Sequence, residues 1–387
     1  MKPLYNYTQY SHCAHRMLMS EEEKGRLVQL DAEYGRTMKI YRTVWQCNFP
    51  TNVDEQYKLF INSYKRGVEF YPILNIKKDK LKLKECQQNF LKLASEFRSL
   101  NCFLSPYYIK RCLEFARRAE FAIDPEPHMS WYVAISNQTP TMEETEKAKQ
   151  VLYENPYEEP DESDRNINAE KALEFCKKHM KEYDGFKVQM KENQIPRMSV
   201  RSEEFALNIS PDAMFSEVDL EGLREHEIKG HVARRYYGAK LGLYLMVYGL
   251  EHANDFDEGI AVYNSLHHVS KRKPNILFNI ALKTYICSML PNKTFYEIFD
   301  ICHKEFPEVP TKVLFSTIVR FKREIEDCSI LGGNGDDQSY FCGYLKVKEL
   351  DDETRDKLTH YNIGPEQFAD LDDIIEFFNV NKFEPLI

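Results

Sequence analysis

No stretch of the 387-residue sequence reaches the roughly 20 uncharged apolar residues that a membrane-spanning helix requires. The first residues, MKPLYNYTQYSHCAH, also lack the apolar core of a secretory signal peptide. We therefore expect a protein that neither crosses a membrane nor is exported, and that works in the cytoplasm.

Closely spaced cysteines are absent as well. The ten cysteines contain no Cys-x-x-Cys pair, and neighbouring cysteines are at least ten residues apart. This spacing argues against a cysteine-ligated zinc, and the lack of an export signal argues against disulfides. We expect reduced, mostly buried thiols.

The chain has no surplus of positive charge. It contains 52 Lys and Arg and 61 Asp and Glu residues, which gives a net charge of −9. Nucleic-acid binding draws much of its affinity from Lys and Arg on phosphates, so a nucleic-acid partner is not expected. Tryptophan is scarce, yet 24 Tyr, 24 Phe and 43% hydrophobic residues can build a substantial packed core.

The first third of the sequence has helical periodicity. Ser20 and Glu23 form a capping-box pattern, and the apolar residues that follow keep helical spacing. Further amphipathic stretches predict helices at about 55–70, 80–99 and 106–121. We expect these helices to pack on a core formed by the rest of the chain.

The middle of the chain predicts a loop, a helix and a small sheet. Residues 151–167 are rich in acidic residues and proline, which favours a surface loop. A helix is expected at 168–183, and the segments 186–191 and 197–210 alternate like antiparallel strands. The predicted division is a helical region at 1–150, the loop at 151–167, a core domain at 168–345 and an extension at 346–387.

A helix with clear end signals follows the predicted sheet. Ser216 and Asp219 make a second capping box, and Gly238 is a plausible C-terminal stop. Another helix is expected to begin near Asp255. Three further helices are predicted at about 274–290, 294–305 and 310–326. The predicted fold class is α+β and mostly helical.

The segment LREHEIKGH at 223–231 places two histidines and a glutamate on one predicted helix. The common zinc-peptidase motif H-E-x-x-H has its histidines four residues apart, whereas His226 and His231 are five apart. Five residues of a regular α-helix leave the two rings about 140° apart, too divergent for one ion. A π-bulge before His231, eased by Gly230, would bring them together. The alternative is two unrelated histidines.

A catalytic zinc usually has three protein ligands, so a third ligand is expected downstream. Glu258 on the next helix is the best candidate, and Asp257 is the second choice. The pattern from Asp255 to Glu258 is also that of a capping box, so Glu258 as a helix cap is the alternative. Glu227 is then the candidate base that takes the proton from the attacking water.

These residues resemble the microtubule-associated tyrosine carboxypeptidases and their bacterial relatives, the flavohemoglobin-expression-modulating proteins with a Q-E-G-L-A motif. Two blocks that resemble family motifs are HEIKGHVAR at 226–234 and DEGIA at 257–261. A third comprises RFKR at 320–323, GG at 332–333 and DDQSYFCG at 336–343. The similarity extends over about residues 186–345.

The resemblance implies a zincin-like metallopeptidase domain. It implies one zinc per chain on His226, His231 and Glu258, with Glu227 as the base. It further implies removal of a C-terminal residue, tyrosine or another bulky residue, from a protein or peptide. In the animal members this residue is a tyrosine of tubulin.

The resemblance and the chemistry of carboxylate binding together suggest further site residues. Arg320 and Arg323 are candidates for the substrate's terminal carboxylate, because a guanidinium fork suits that group; solvation of a helix end is the alternative. Arg234 is expected to brace the motif through a carboxylate. Tyr340 is a candidate donor to the oxyanion, with a packed core tyrosine as the alternative.

One position departs from the family pattern, since Asp336 stands where the family has lysine. The reversed charge favours an altered terminal specificity, and a tubulin-like substrate is therefore compatible with the sequence but not implied by it. Two alternatives stay open. One is a zinc endopeptidase or isopeptidase at the same site, and the other is an inactive binding module.

Overall fold

The computed structural model describes residues 17–46, 50–125, 139–159, 162–192, 194, 196–269 and 273–387. Most of these residues are helical, and three short strands form one sheet. No helix within the described ranges is long and apolar enough to cross a membrane.

The first part of the chain consists of helices. They are α1 (Glu21–Gln46), α2 (Val53–Tyr64), α3 (Lys80–Ser99), α4 (Ser105–Ile123) and α5 (Met142–Glu154). The predicted capping box of α1 is confirmed, because the Glu23 carboxylate accepts from the Ser20 backbone at 2.9 Å. The predicted helix at 55–70 is too long, since the chain turns at Gly67 with a φ of 68°.

The sheet differs from the predicted antiparallel one. Helix α6 (Ala169–His179) precedes β1 (Lys187–Met190), β2 (Met198–Arg201) and β3 (Ala206–Ile209). The strand order is β1-β3-β2, with β1 parallel and β2 antiparallel to β3, so the sheet is mixed. The segment expected as one strand at 197–210 folds back at a 3₁₀ turn, where Phe205 has a φ of 46°. The predicted sheet was therefore wrong in its β1 pairing.

The rest of the chain is helical. The elements are α7 (Glu217–Leu223), a π-helix (Arg224–Val232), α8 (Ala233–Lys240), α9 (Tyr244–Tyr248), α10 (Ala253–His268), α11 (Lys273–Met289), α12 (Phe295–Glu305), α13 (Thr311–Phe321), α14 (Ser339–Val347), α15 (Asp352–His360) and α16 (Leu371–Asn381). The Ser216 capping box is confirmed, since the Ser216 hydroxyl accepts from the Asp219 backbone at 3.0 Å.

One hydrophobic cluster joins the two ends of the chain. Its buried side chains come from α1, α3 and α4 and from the C-terminal α15 and α16. Asp31 of α1 also caps α9, because its carboxylate accepts from the backbone of Tyr244 at 2.7 Å and of Leu245 at 3.0 Å. The N-terminal helices are thus packed on the rest of the molecule, while the division into 1–150, 151–167, 168–345 and 346–387 stays a prediction.

The eight cysteines within the described ranges are all free and buried, as expected. Cys13 and Cys47 lie outside those ranges.

Candidate metal centre

The predicted irregularity before His231 is confirmed as a π-helix over Arg224–Val232, between α7 and α8. In a π-helix the backbone bonds join residues five apart, so residues with that spacing lie one turn apart on the same face. The rings of His226 and His231 accordingly lie with their centres 5.0 Å apart. The extra residue in the motif is therefore accommodated by the backbone.

Gly230 has a second role besides easing the π-helix. A Cβ at this position would lie 2.8 Å from Cβ and 3.0 Å from Cα of Ala261 in α10. Only glycine leaves room for α10 to pack this closely against the π-helix. That packing brings Glu258, one turn before Ala261, toward the histidines.

His226, His231 and Glu258 bring three donor atoms within 4.8 Å of one another. Glu258 Oε2 lies 3.7 Å from His226 Nε2 and 3.5 Å from His231 Nε2. Ligand atoms at ~2.1 Å from a tetrahedral zinc lie about 3.4 Å apart, so these separations fit such an ion. Glu258 Oε2 is also buried and has no hydrogen-bond partner within the described part of the chain, which leaves it available as a ligand.

The alternative role of Glu258 as a helix cap is wrong. Helix α10 begins at Ala253, so Glu258 lies in its second turn. Asp255, the other half of the supposed capping box, instead forms an ion pair with Lys346 at 2.5 Å.

Asp257 supports the histidine instead of replacing Glu258 as a ligand. Asp257 Oδ2 lies 3.1 Å from His231 Nδ1, the ring nitrogen that faces away from Glu258. A carboxylate in this position fixes the orientation of a metal-binding imidazole. Arg235 donates to both Asp257 oxygens, at 2.6 and 2.5 Å, and so holds the carboxylate in place.

Arg234 is fully buried and lies on the other side of Asp257. Its Nε is 3.2 Å from Asp257 Oδ1, and its terminal nitrogens donate to Asn362 Oδ1 at 2.9 Å and to the carbonyl of Leu358. Arg234 thus links the Asp257 carboxylate to the last turn of α15 and to the segment that follows it.

Burial and carboxylates set the protonation of the centre. Burial, reinforced by His231, lowers the pKa of His226 to about 4, so its imidazole is neutral and able to bind a metal. Burial opposes protonation of His231 too, but Asp257 and Glu258 outweigh it and raise its pKa well above the usual value. The Asp257 and Glu258 carboxylates thus favour a positive charge beside the His231 ring, such as a proton or a metal ion.

Glu227 lies in the π-helix, directly after His226 in the sequence. Burial raises the pKa of its carboxyl to about 7. The positive charge of His231 acts to lower this pKa, whereas the negative charges of Glu258 and Asp257 act to raise it. A carboxyl group whose pKa is near neutrality, and which lies beside a metal site, can accept a proton and return it.

The Tyr340 ring lies near the His226 ring. The two rings are nearly parallel, with an angle of 10° and centres 6.4 Å apart. The nearby Glu258 carboxylate and burial raise the pKa of Tyr340 well above its usual value, so its hydroxyl stays protonated and can donate.

The two predicted substrate-binding arginines share one buried carboxylate. Arg320 Nε donates to Asp337 Oδ2 at 2.6 Å, and an Arg323 nitrogen donates to Asp337 Oδ1 at 3.2 Å. Lys283 Nζ lies 3.8 Å from the same carboxylate and 4.4 Å from the centre of the Tyr340 ring. Sequence reasoning missed Lys283, because a lone lysine in a helix carries no local signal of a site.

Asp336, the residue that departs from the family pattern, is paired with Arg118 of α4. The guanidinium donates to both Asp336 oxygens, at 3.0 and 3.1 Å. The negative charge introduced at this position is therefore compensated from the N-terminal helices.

Two imidazoles and a carboxylate placed for one ion, with a glutamate beside them, are the side-chain set of a metal-dependent hydrolase. The comparison with protein families makes this more specific. The family model described as microtubule-associated tyrosine carboxypeptidase matches residues 130–370, and the chain belongs to that family. A search of curated proteins found no match to the chain.

Proposed function

We propose that the chain is a zinc-dependent metallocarboxypeptidase that removes a C-terminal residue, tyrosine in the first instance, from a protein or peptide. The main observation behind this proposal is the group of donor atoms on His226, His231 and Glu258. The Glu227 carboxyl is near enough for the charges of His231 and Glu258 to act on its pKa. Family membership supports both the activity and the preference for tyrosine.

Zinc, when bound by these three residues, would supply a Lewis acid that polarises the scissile carbonyl. The role of Glu227 is to accept a proton from the attacking water and to return it to the leaving amine. Asp257 keeps the His231 ring oriented, and Arg235 and Arg234 keep Asp257 in place.

Tyr340 is proposed as the donor that stabilises the oxyanion of the tetrahedral intermediate. Its position beside His226 and its firmly bound proton support this role. No residue within the described ranges forms a hydrogen bond with its hydroxyl, so the donor is available to a substrate.

The positive charge for a substrate carboxylate is proposed to come in part from Arg320 and Arg323. Three cations, these two arginines and Lys283, surround the single charge of Asp337. Lys283 lies over the Tyr340 ring, and its positive charge beside the proposed oxyanion donor favours a free C-terminus over an amide.

An endopeptidase or isopeptidase at the same centre was suggested by the reversed charge at Asp336. The ion pair between Arg118 and Asp336 offsets this reversed charge, which supports the carboxypeptidase over the alternative. A tubulin-like substrate remains compatible with the proposal, and the expected place of action is the cytoplasm.

The activity is tested with two peptides of the same sequence that end in tyrosine, one with a free carboxyl group and one amidated. We expect the mass of the free-acid peptide to decrease by one terminal residue and the amidated peptide to remain intact. Internal cleavage of both peptides at similar rates would favour the endopeptidase. Absence of cleavage in the zinc-loaded protein would favour the binding module.

A further inference from the structure

A cavity of about 310 Å³ lies beside the candidate metal centre, and both Glu258 and Tyr340 line it. Ligand pockets begin at about 300 Å³, so the space suits a group the size of one residue. Its walls come from several parts of the chain, among them α1, α4, the end of β2, α10 and the segment around α14.

Seven arginines line this cavity, and most of them are paired with carboxylates of the protein. The paired arginines are Arg111 and Arg118 with Glu114, Arg235 with Asp257, and Arg320 and Arg323 with Asp337. Arg42 is more weakly held, since its nearest carboxylate oxygen, on Glu203, is 4.0 Å away.

Arg201 is the exception among them. Its Nε is buried without a hydrogen-bond partner, and no carboxylate of the described residues forms an ion pair with it. A guanidinium group that is partly removed from water and left unpaired is costly unless a ligand completes its hydrogen bonds. Its planar fork matches a carboxylate.

The position of Arg201 is fixed by the sheet. It is the last residue of β2 and pairs with Ala206 of β3. The next residue, Ser202, accepts hydrogen bonds from Arg235 at 3.0 Å and from Arg42 at 3.3 Å. This contact joins the end of β2 to the arginine that holds Asp257, and so to the metal centre.

Aromatic side chains form another part of the wall. Tyr41 and Trp45 belong to α1, Phe115 to α4 and Tyr248 to α9. Such a wall suits a side chain that carries a ring. Both α1 and α4 lie outside the segment 130–370 that the family model covers.

We propose that this cavity receives the terminal residue of the substrate, that Arg201 binds its carboxylate, and that the aromatic side chains of α1 and α4 contact its side chain. The proposal rests on the carboxypeptidase function. The N-terminal helices are then part of the specificity pocket. Arg201 contacts the carboxylate directly, and the cations around Asp337, namely Arg320, Arg323 and Lys283, add positive charge nearby.

The test measures binding of fluorescent peptides that end in tyrosine, as free acid and as amide, to the full-length zinc-loaded Glu227→Gln protein. Adding Arg201→Gln is expected to weaken binding of the free acid by about 10- to 100-fold and to leave the amide unchanged. Arg201→Lys should restore part of the difference. Arg26→Gln, at an exposed arginine of α1, is the matched control and should change neither peptide.

Equal losses for both peptides would mean that Arg201 is structural, and unchanged binding of the free acid would remove it from the site. Either result overturns the assignment while release of tyrosine by the wild-type protein still supports the proposed function. If the Glu227→Gln protein bound both peptides equally, the protein would have no site for a terminal carboxylate. Both the proposed carboxypeptidase function and the proposed role of Arg201 would then be rejected.

The aromatic wall is tested by Trp45→Leu with peptides ending in tyrosine or alanine. We expect the preference for tyrosine to fall by about tenfold, while the preference for a free carboxyl group is kept. An unchanged preference for tyrosine would overturn the placement of the side chain. Circular dichroism of each variant checks that the helices are retained.

Discussion

At the scale of single residues, Asp257 links the candidate metal ligands to the surrounding protein. Its carboxylate contacts His231 on one side and two buried arginines on the other. These contacts give one residue two separable effects, on metal affinity and on stability.

Replacing Asp257 with asparagine should weaken zinc binding by about 10- to 100-fold, because the His231 ring loses the carboxylate that orients it. The loss of charge beside Arg234 and Arg235 should also lower the free energy of unfolding by about 3 kcal/mol or more. Competition with a chelator measures the first effect and urea unfolding the second. Asp255→Asn is the control, and a zinc affinity equal to wild type in Asp257→Asn would contradict this role.

Removing the Tyr340 hydroxyl in Tyr340→Phe should reduce kcat by about 10²- to 10³-fold with little change in KM, since an oxyanion donor acts in the transition state. The ring beside His226 is retained, so the fold should be unaffected. Steady-state kinetics on a peptide ending in tyrosine provide the test. Tyr344→Phe, on the same helix, is the matched control, and a kcat for Tyr340→Phe as high as the control's would rule out the donor role.

Local sequence pattern identified the residues that lie in motifs. His226, His231 and Glu258 were predicted from the sequence and lie together in the structure. Lys283 and Arg201 were not predicted, because they reach the site from α11 and from the end of β2 only through the tertiary fold. A residue without a local pattern becomes a candidate only when its burial and its lack of partners are known.

At the scale of elements, the contact between the π-helix and α10 determines whether three ligands meet. The two elements are packed closely where Gly230 meets Ala261. The five-residue spacing of the histidines and the glycine at position 230 are therefore both needed to bring His226, His231 and Glu258 together.

A methyl group in Gly230→Ala would meet Ala261 Cβ at 2.8 Å and the backbone Cα at 3.0 Å, so one helix must move. We expect a loss of about 1–3 kcal/mol in the free energy of unfolding and weaker zinc binding, because Glu258 moves away from the histidines. Thermal unfolding with and without zinc measures both.

Gly25→Ala provides the control for this substitution. No atom lies within 4 Å of a Cβ at Gly25, an exposed position in α1. This variant should gain up to about 1 kcal/mol in stability and bind zinc normally. Normal zinc affinity in Gly230→Ala would show that close packing is not needed for the site.

Helices were predicted well wherever capping residues and apolar periodicity agree, as at Ser20 and Ser216. The sheet was predicted less well. The pairing of β1 with β3 depends on where the chain turns back at Phe205, and alternation of side chains does not encode that turn.

At the scale of the whole molecule, a partly buried ion pair joins α4 to the segment just before α14. Glu114 of α4 is paired with Arg111 and Arg118, and Arg118 is paired with Asp336 at the far side of the cavity. Burial alone would raise the pKa of Glu114, but the two arginines outweigh it and lower the pKa to about 2.

Glu114→Gln should therefore destabilise the protein by about 3–5 kcal/mol at pH 7. The folded pKa lies below the unfolded value of about 4.5, so the stabilisation by Glu114 is complete above pH ~4.5 and is lost as the pH falls toward about 2. The difference between wild type and variant should shrink by about 1 kcal/mol between pH 7 and pH 4. Urea unfolding at both pH values measures it.

The control for this charge is Glu96→Gln, whose ion pair with Arg26 is largely exposed and should contribute less than about 1 kcal/mol. A difference between wild type and Glu114→Gln that stays constant from pH 7 to pH 4 would contradict the depressed pKa.

The central claim is that this chain is a zinc peptidase with Glu227 as its base, and one paired measurement tests it most directly. Zinc content and peptide hydrolysis are determined for the wild type and for Glu227→Gln. We predict about one zinc per chain in both proteins and a rate lowered by about 10²- to 10⁴-fold in the variant. Activity that survives in Glu227→Gln, or a wild-type protein that hydrolyses the peptide without bound zinc, would contradict the account.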